Sequence, residues 1–219
     1  MTDAARDVDP AEAFRSAAER AGVALRGLSF RKGQRLLDAG VVPGGIHLVT
    51  GGLAASRMLL ENGREVLIGL HGKGETLGDL EYCMGGPAIC GVAALEPTTT
   101  LWADSASLDR MVAVDPAFSM SLARVLAVRL YRSSQRLSAG MAYPLEYNLL
   151  KAVLARLDSP DEGRPLPKRD LVEYLGHTER HVNRILKSLE AAGALAIVQG
   201  NVALISIDSA RRRMTELEE

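Results

Sequence analysis

The chain has 219 residues, 47% of them apolar, 24% charged and 4% aromatic, which supports one or two packed cores and excludes disordered, collagenous and coiled-coil-fibre compositions. Lys and Arg number 26 against 27 Asp and Glu, a net charge of −1, so indiscriminate coating of a polyanion is excluded and any nucleic-acid face has to be local. No apolar run approaches the roughly 18 to 20 residues of a membrane span, the opening MTDAARDVDPAEAF is polar and acidic, and two cysteines cannot build a disulfide framework, so the expected compartment is the cytoplasm, with no membrane partner.

From Pro10 to Leu25 alanines alternate with charges, placing Phe14, Ala17, Ala21 and Ala24 on one side of a predicted leading helix. From Phe30 to Trp102 the texture changes to short apolar runs (Leu36–Leu37, Ile46–Val49, Val66–Leu70, Val92–Leu95, Thr99–Trp102) separated mostly by glycine. That punctuation predicts antiparallel strands closing into a barrel or jelly roll. Asn62-Gly63 is the expected hairpin turn, since both residues tolerate positive φ. After Asp115-Pro116, apolar Phe118, Leu122, Val125, Leu126, Leu130, Leu137 and Met141 recur every three to four residues or at multiples of that spacing. A helix with so long a seam needs a neighbour, and a second copy of the chain is the expected one. Gly140 and Pro144 are expected to break it and form a hinge.

A second unit then begins, with a predicted helix over Tyr143–Leu157 and a Pro- and acid-rich loop over Asp158–Pro167. Two short helices follow, Lys168–Leu175 and Glu179–Ala192, separated only by Gly176, His177 and Thr178, the spacing of a helix-turn-helix. Leu171, Val172 and Leu175 are placed to face Val182, Ile185, Leu186 and Leu189, and Thr178 to cap the second helix. Runs at Ala194–Val198 and Val202–Ile205 flank a tight hairpin, Gln199-Gly200-Asn201, in the position of a wing. The fold class expected is α+β: a β-roll over residues 1–115, a dimerisation helix over 116–142 and a winged helix-turn-helix over 143–219.

With its apolar positions removed, the second helix of the pair presents Glu179, Arg180, His181, Asn183, Arg184 and Lys187, a donor and acceptor set suited to base edges and phosphates in a major groove. Lys168 and Arg169 extend it. Between Arg164 and Lys187 six cations stand against three acids, a local charge of +3 on a neutral chain, which suits site-specific rather than general binding of double-stranded DNA.

The order of these motifs resembles the Crp/Fnr superfamily of transcription regulators. The resemblance is carried by Gly33 and Gly40 in FRKGQRLLDAG, Gly52 in VTGGLA, Gly63 in LLENGREVL, and Gly74 and Gly78 in GKGETLGDLEY. It is carried also by LVEYLGHTERHVNRILKSLEAAGALAIVQGNVALI, including the RILK-LE run at Arg184 to Glu190. Within the superfamily the GETLGDLE, CMGG and EYLGHTERHVNRIL stretches are most similar to its YeiL-like branch. The resemblance implies a homodimer that binds a palindromic operator and works with RNA polymerase. It also implies base contacts from Glu179, Arg180 and Arg184 and a phosphate contact from Thr178. Relatives that read the best-known palindrome have arginine where this chain has Glu179 and glutamate where it has Arg180, so a different operator sequence is expected.

The effector side departs further from the family. Cyclic-nucleotide binders follow a glycine-acid-leucine turn, here Gly78-Asp79-Leu80, with a phosphate-binding arginine. In its place this chain reads Pro87-Ala88-Ile89-Cys90-Gly91, with no cation between Lys73 and Arg110. A cyclic phosphate would lack its charge-assisted partner, so the expected effector is not cyclic AMP held in the family's way, and its identity stays open. Ser133 and Ser134 stand where relatives contact the purine across the dimer. Cys83 and Cys90 are candidates for a reversible thiol switch, although the simpler expectation is two buried small hydrophobes. They do not complete an iron–sulfur or zinc ligand set. His47 and His71 lack the pairing of a metal-holding barrel enzyme, and the chain has neither a Walker loop nor a dinucleotide fingerprint, so catalysis is not expected. Two other readings remain beside the DNA-binding regulator: a regulatory module that acts through protein partners, and a thiol-redox sensor using Cys83 and Cys90.

Overall fold

The computed structural model describes residues 9–63, 65–155, 157 and 166–218. The leading residues 1–8, and Arg164 with most of the predicted loop before Pro167, lie outside them. The chain divides into two compact units, Met1–Tyr131 and Arg132–Glu219.

The first unit opens with α1 (Pro10–Arg20), capped by the Asp9 carboxylate accepting from the Ala11 N–H at 2.9 Å. Eight strands follow: β1 (Arg26–Phe30), β2 (Arg35–Leu37), β3 (Gly45–Gly51), β4 (Ala54–Leu59), β5 (Glu65–His71) and β6 (Thr76–Leu77), then, after the short α2 (Asp79–Met84), β7 (Gly91–Ala94) and β8 (Thr98–Asp104). They form two antiparallel four-stranded sheets, ordered β1-β8-β3-β6 and β2-β7-β4-β5, the β-roll expected from the glycine punctuation. Next come α3 (Ser105–Val114), whose N–H at Ser107 is capped by Asp104 at 2.7 Å, and α4 (Pro116–Ala142), bent 114° from it at Asp115. No single helix among the described residues is long and apolar enough to cross a membrane.

The six glycines that carry the family resemblance all have positive φ, and two of them show why a side chain is excluded. A Cβ on Gly52 would stand 2.3 Å from the Pro97 carbonyl oxygen, and one on Gly78 would stand 2.6 Å from that of Gly45, where the chain crosses itself. The expected turn at Asn62-Gly63 differs in kind. Gly63 takes φ +78° and donates to the Leu60 carbonyl at 2.9 Å, but Asn62 is not left-handed, so among its described residues the longer loop joining β4 to β5 has one left-handed residue instead of two.

One core joins α1, β3, β8, α3 and the first turns of α4, with Phe14 and Phe118 packed edge to face at 5.8 Å. A second cluster of Leu36, Leu37, Val49, Ala54, Leu77, Val92 and Ala94 lines the roll. The predicted α4 seam is therefore split. Phe118 and Leu122 are buried in this first core, whereas Leu130 (69% exposed), Leu137 (67%) and Met141 (81%) face outward. Gly140 does not end the helix: the helix runs through it to Ala142 and stops before Tyr143-Pro144. A lone interior glycine costs only about 1 kcal/mol, while the residue preceding proline is pushed out of helical geometry.

The second unit contains α5 (Leu145–Leu154), shorter than the predicted Tyr143–Leu157, then β9 (Leu166–Pro167), α6 (Lys168–Leu175) and α7 (Glu179–Ala191). It ends with β10 (Leu195–Val198), β11 (Asn201–Leu204) and α8 (Ile207–Glu216). Its core gathers Leu149, Leu150, Leu171, Val182, Leu186, Leu189 and Leu195, joining the two helices of the motif as their spacing predicted. The sheet is ordered β10-β11-β9. The last helix was not anticipated. It is polar and arginine-rich, and it is held to α5 by ion pairing of Arg213 with Glu146 at 2.7 Å and by donation from the Tyr147 hydroxyl to Glu218 at 2.9 Å. The Asn148 amide donates to the carbonyls of Ala139, Tyr143 and Pro144 at 3.2 to 3.3 Å, taking up acceptors left open where α4 ends.

Candidate nucleic-acid interface and effector cassette

The turn between α6 and α7 is made by Gly176, left-handed at φ +67°, and by Thr178, whose extended backbone and hydroxyl cap α7 by accepting from the His181 N–H at 3.4 Å. Burial of Val182, Ile185, Leu186 and Leu189 fixes the rotation of α7. The opposite face is thereby left to Glu179, Arg180, Arg184 and Lys187, with His181 and Asn183 half-buried at its margins. Thr178 and these six residues line one open concavity, so the positions singled out by spacing come together on one surface. His181 also packs edge to face on His177, ring centroids 5.6 Å apart.

The cations of this face differ in their surroundings. Lys168 sits 3.1 Å from the Glu179 carboxylate and Arg169 lies 2.8 Å from Glu173, so two cations counted in the local surplus are ion-paired. Arg180, Arg184 and Lys187 have no ion pair among the described residues. The Lys168 backbone N–H donates to the Gly200 carbonyl at 2.9 Å, tying the start of α6 to the tip of the β10–β11 hairpin. That hairpin turns on Gln199 (φ +50°) and Gly200 (φ +79°), between the paired residues Val198 and Asn201.

In the first unit Gly78 caps α2 at φ +85°, and Asp79 is 1% exposed. Its carboxylate accepts from the Thr76 hydroxyl at 2.6 Å, the Leu80 N–H at 3.0 Å and Arg129 Nη1 at 2.7 and 2.8 Å, while Arg129 Nη2 donates to the Thr76 carbonyl at 2.6 Å. Sequence reasoning sought a cation between Lys73 and Arg110. The one that reaches Gly78-Asp79-Leu80 comes from α4, fifty residues on in the chain, and its only sequence signal is an arginine following Val125 at helical spacing. Because this guanidinium is engaged by Asp79 and Pro87–Gly91 is uncharged, the residues here do not fit a cyclic phosphate. Ser133 and Ser134 are exposed on α4.

Cys90 is buried as expected, whereas Cys83 is exposed, and both are free thiols. Burial pushes both thiol pKa values up, assisted by Asp79 at Cys83 and by Glu81 at Cys90, which lowers the thiolate fraction. Both histidines of the roll are satisfied. His47 Nδ1 lies 3.1 Å from the Thr100 hydroxyl, and burial lowers its pKa from 6.5 to about 4. His71 stands between the Ser56 hydroxyl at 2.9 Å and Glu75 at 3.1 Å, a polar chain across β4 and β5 that sequence reading missed because its members are fifteen and four residues apart. Gly69 leaves room for it, since a Cβ there would press on both Ser56 and His71 at 3.3 to 3.4 Å.

Comparison with known proteins agrees with this architecture. The cyclic nucleotide-binding domain family matches residues 28–115. The HTH-type transcriptional regulator Cmr of Mycobacterium tuberculosis (strain CDC 1551 / Oshkosh) is 26% identical over 161 residues, 74% of this chain, which spans 65% of that relative's length. The c-di-GMP-responsive global regulator Clp of Xanthomonas campestris superposes with a TM-score of 0.77 at 15% identity, covering 88% of this chain and 99% of that one. A Crp/Fnr-family regulator from Thermus thermophilus superposes at 0.73 with 18% identity, covering 88% and 100%. Residues 28–115 thus match the cyclic nucleotide-binding domain family, and the chain shares its fold along most of its length with regulators of the Crp/Fnr type.

Proposed function

We propose that the chain acts in the cytoplasm as a homodimeric, sequence-specific DNA-binding transcription regulator. The observation that carries this reading is the α7 face: Arg180, Arg184 and Lys187, without ion pairs among the described residues, share a concavity with Thr178, Glu179, His181 and Asn183. Donors and acceptors aligned on a capped helix suit entry into a major groove, with the β10–β11 hairpin as a wing, Lys168 and Arg169 at the start of α6 bordering the face, and Thr178 on a phosphate. The exposed Leu130, Leu137 and Met141 on α4 suit pairing with the same helix of a second copy, which would present two recognition helices to half-sites about 34 to 36 Å apart on a palindromic operator. RNA polymerase is the partner such a regulator acts upon. The domain boundaries follow the same reading: an effector roll over residues 1–115, the pairing helix over 116–142 and the DNA-binding unit over 143–219.

The effector is a molecule other than a cyclic nucleotide held through its phosphate, because Arg129 is turned to Asp79. The surroundings of Gly78, Asp79, Leu80 and Cys90 in the roll are the proposed place for it, and Ser133 and Ser134 on α4 are the residues proposed to reach the effector of a second copy. A thiol switch at Cys83 and Cys90 draws little support from thiols whose pKa values are raised. The deciding experiment selects bound duplexes from a random pool with the purified full-length protein, with and without thiol oxidant and cyclic nucleotides. A two-fold symmetric sequence is expected, and Arg184→Ala should reduce sequence preference more than salt-dependent affinity. Equal losses on specific and random duplexes refute the role given to Arg184, and a pool without enrichment under any condition refutes the function.

A further inference from the structure

Glu179 opens α7 under two opposing demands. The helix N-terminus favours a carboxylate there, but a face that approaches phosphates repels one. Lys168 resolves the conflict from the neighbouring helix. Its Nζ lies 3.1 Å from Glu179 Oε1, and its backbone N–H is fixed by the Gly200 carbonyl at 2.9 Å, so the lysine starts from an anchored position. Its side chain is mostly covered (27% exposed), while that of Glu179 is open (65%). Of the pair, the carboxylate is therefore the member offered outward.

We infer that Lys168 is a positioning residue for base reading: it neutralises Glu179 and holds its carboxylate so that the second oxygen accepts from an exocyclic amino group, cytosine N4 or adenine N6, at one position of each half-site. Guanine and thymine place acceptors at the corresponding major-groove edge, and a carboxylate rejects them. This assignment rests on the DNA-reading function proposed above and deepens it. It also removes Lys168 from the phosphate anchors, because a lysine already neutralised within the protein releases few counterions from DNA.

The test uses full-length protein and the half-site that the wild type selects, with each position varied in turn. Glu179→Ala should abolish preference at one position. Lys168→Met should weaken preference at that same position by about tenfold, within the range of a single good base contact, and leave the salt dependence of binding nearly unchanged. Lys168→Arg should restore the preference, a rescue that separates positioning from any loss of folding. Lys168→Met that spares this position, or that weakens all duplexes equally while lowering the salt slope by about 1 per half-site, would show a plain phosphate anchor and overturn the inference. A wild-type pool with no enriched sequence instead overturns the DNA-reading function itself.

Discussion

Replacing Arg129 with methionine tests the link between α4 and the Gly78-Asp79-Leu80 turn. The substitution keeps the hydrophobic stem and removes the two contacts to Asp79, at 2.7 and 2.8 Å, and the one to the Thr76 carbonyl at 2.6 Å. Asp79 keeps only the Thr76 hydroxyl and the Leu80 amide within an almost fully buried site. Stranding one member of a fully buried ion pair costs about 3–5 kcal/mol. Because the Arg129 side chain is 30% exposed, water screens part of that, and we expect a loss of about 2–3 kcal/mol. Trp102 is the only tryptophan and lies in the first unit, so urea unfolding followed by its fluorescence reports on this unit. Asp79→Asn and the double variant complete the cycle, with a coupling of about 1–2 kcal/mol expected for groups in direct contact. Arg132→Met, an exposed arginine on the same helix, should change stability by less than about 0.5 kcal/mol. A loss below about 0.5 kcal/mol for Arg129→Met, or strict additivity in the double variant, would refute the reasoning.

His47 is held neutral by burial, so between its ordinary pKa of 6.5 and about 4 the unfolded chain binds more protons than the folded one. Stability should be full above that window and fall by up to about 3 kcal/mol as pH drops through it, and His47→Gln should flatten this part of the profile in urea titrations. Gly52→Ala forces a methyl to 2.3 Å from the Pro97 oxygen at φ +83° and should cost about 3 kcal/mol or more. Gly140→Ala meets open space inside a helix and should raise thermal stability by about 0.5–1 kcal/mol, so a destabilised variant would contradict the continuous helix. Leu137→Glu should convert the proposed dimer to monomer in sedimentation equilibrium, and an unchanged mass would exclude α4 as the pairing surface.

The parts of the fold legible in the sequence are those governed by local rules. Lys168–Leu175 and Gly176-His177-Thr178 were readable to the residue because a left-handed glycine, a capping hydroxyl and two matched apolar faces all act within a few positions. The strands Gly45–Gly51 and Thr98–Asp104 announced themselves through the apolar runs Ile46–Val49 and Thr99–Trp102, the first of them flanked by glycines. What stayed hidden depends on distant partners. The short α2 is tied through Asp79 to Arg129, fifty residues on, and α8 through Arg213 to Glu146 on another helix, whereas the Asp104 cap that opens α3 was a local signal left unread. Arg129 lies among the apolar positions of α4 with no local feature that marks it, and its attachment to Asp79 follows only once the chain has folded back. The seam itself was read as one stripe, because periodicity counts apolar positions without saying which of them the chain's own core will cover.

The hairpin tip at Gln199-Gly200 imposes a handedness on the second unit. Two successive left-handed residues give a two-residue connection a twist matching that of the strands it joins, so the ribbon leaves its tip in one fixed direction. The carbonyl of that same Gly200 also receives the amide that opens α6. A side chain at position 200, where φ is +79°, would strain the tip of the ribbon and the carbonyl that the first turn of α6 relies on, so a single position governs both.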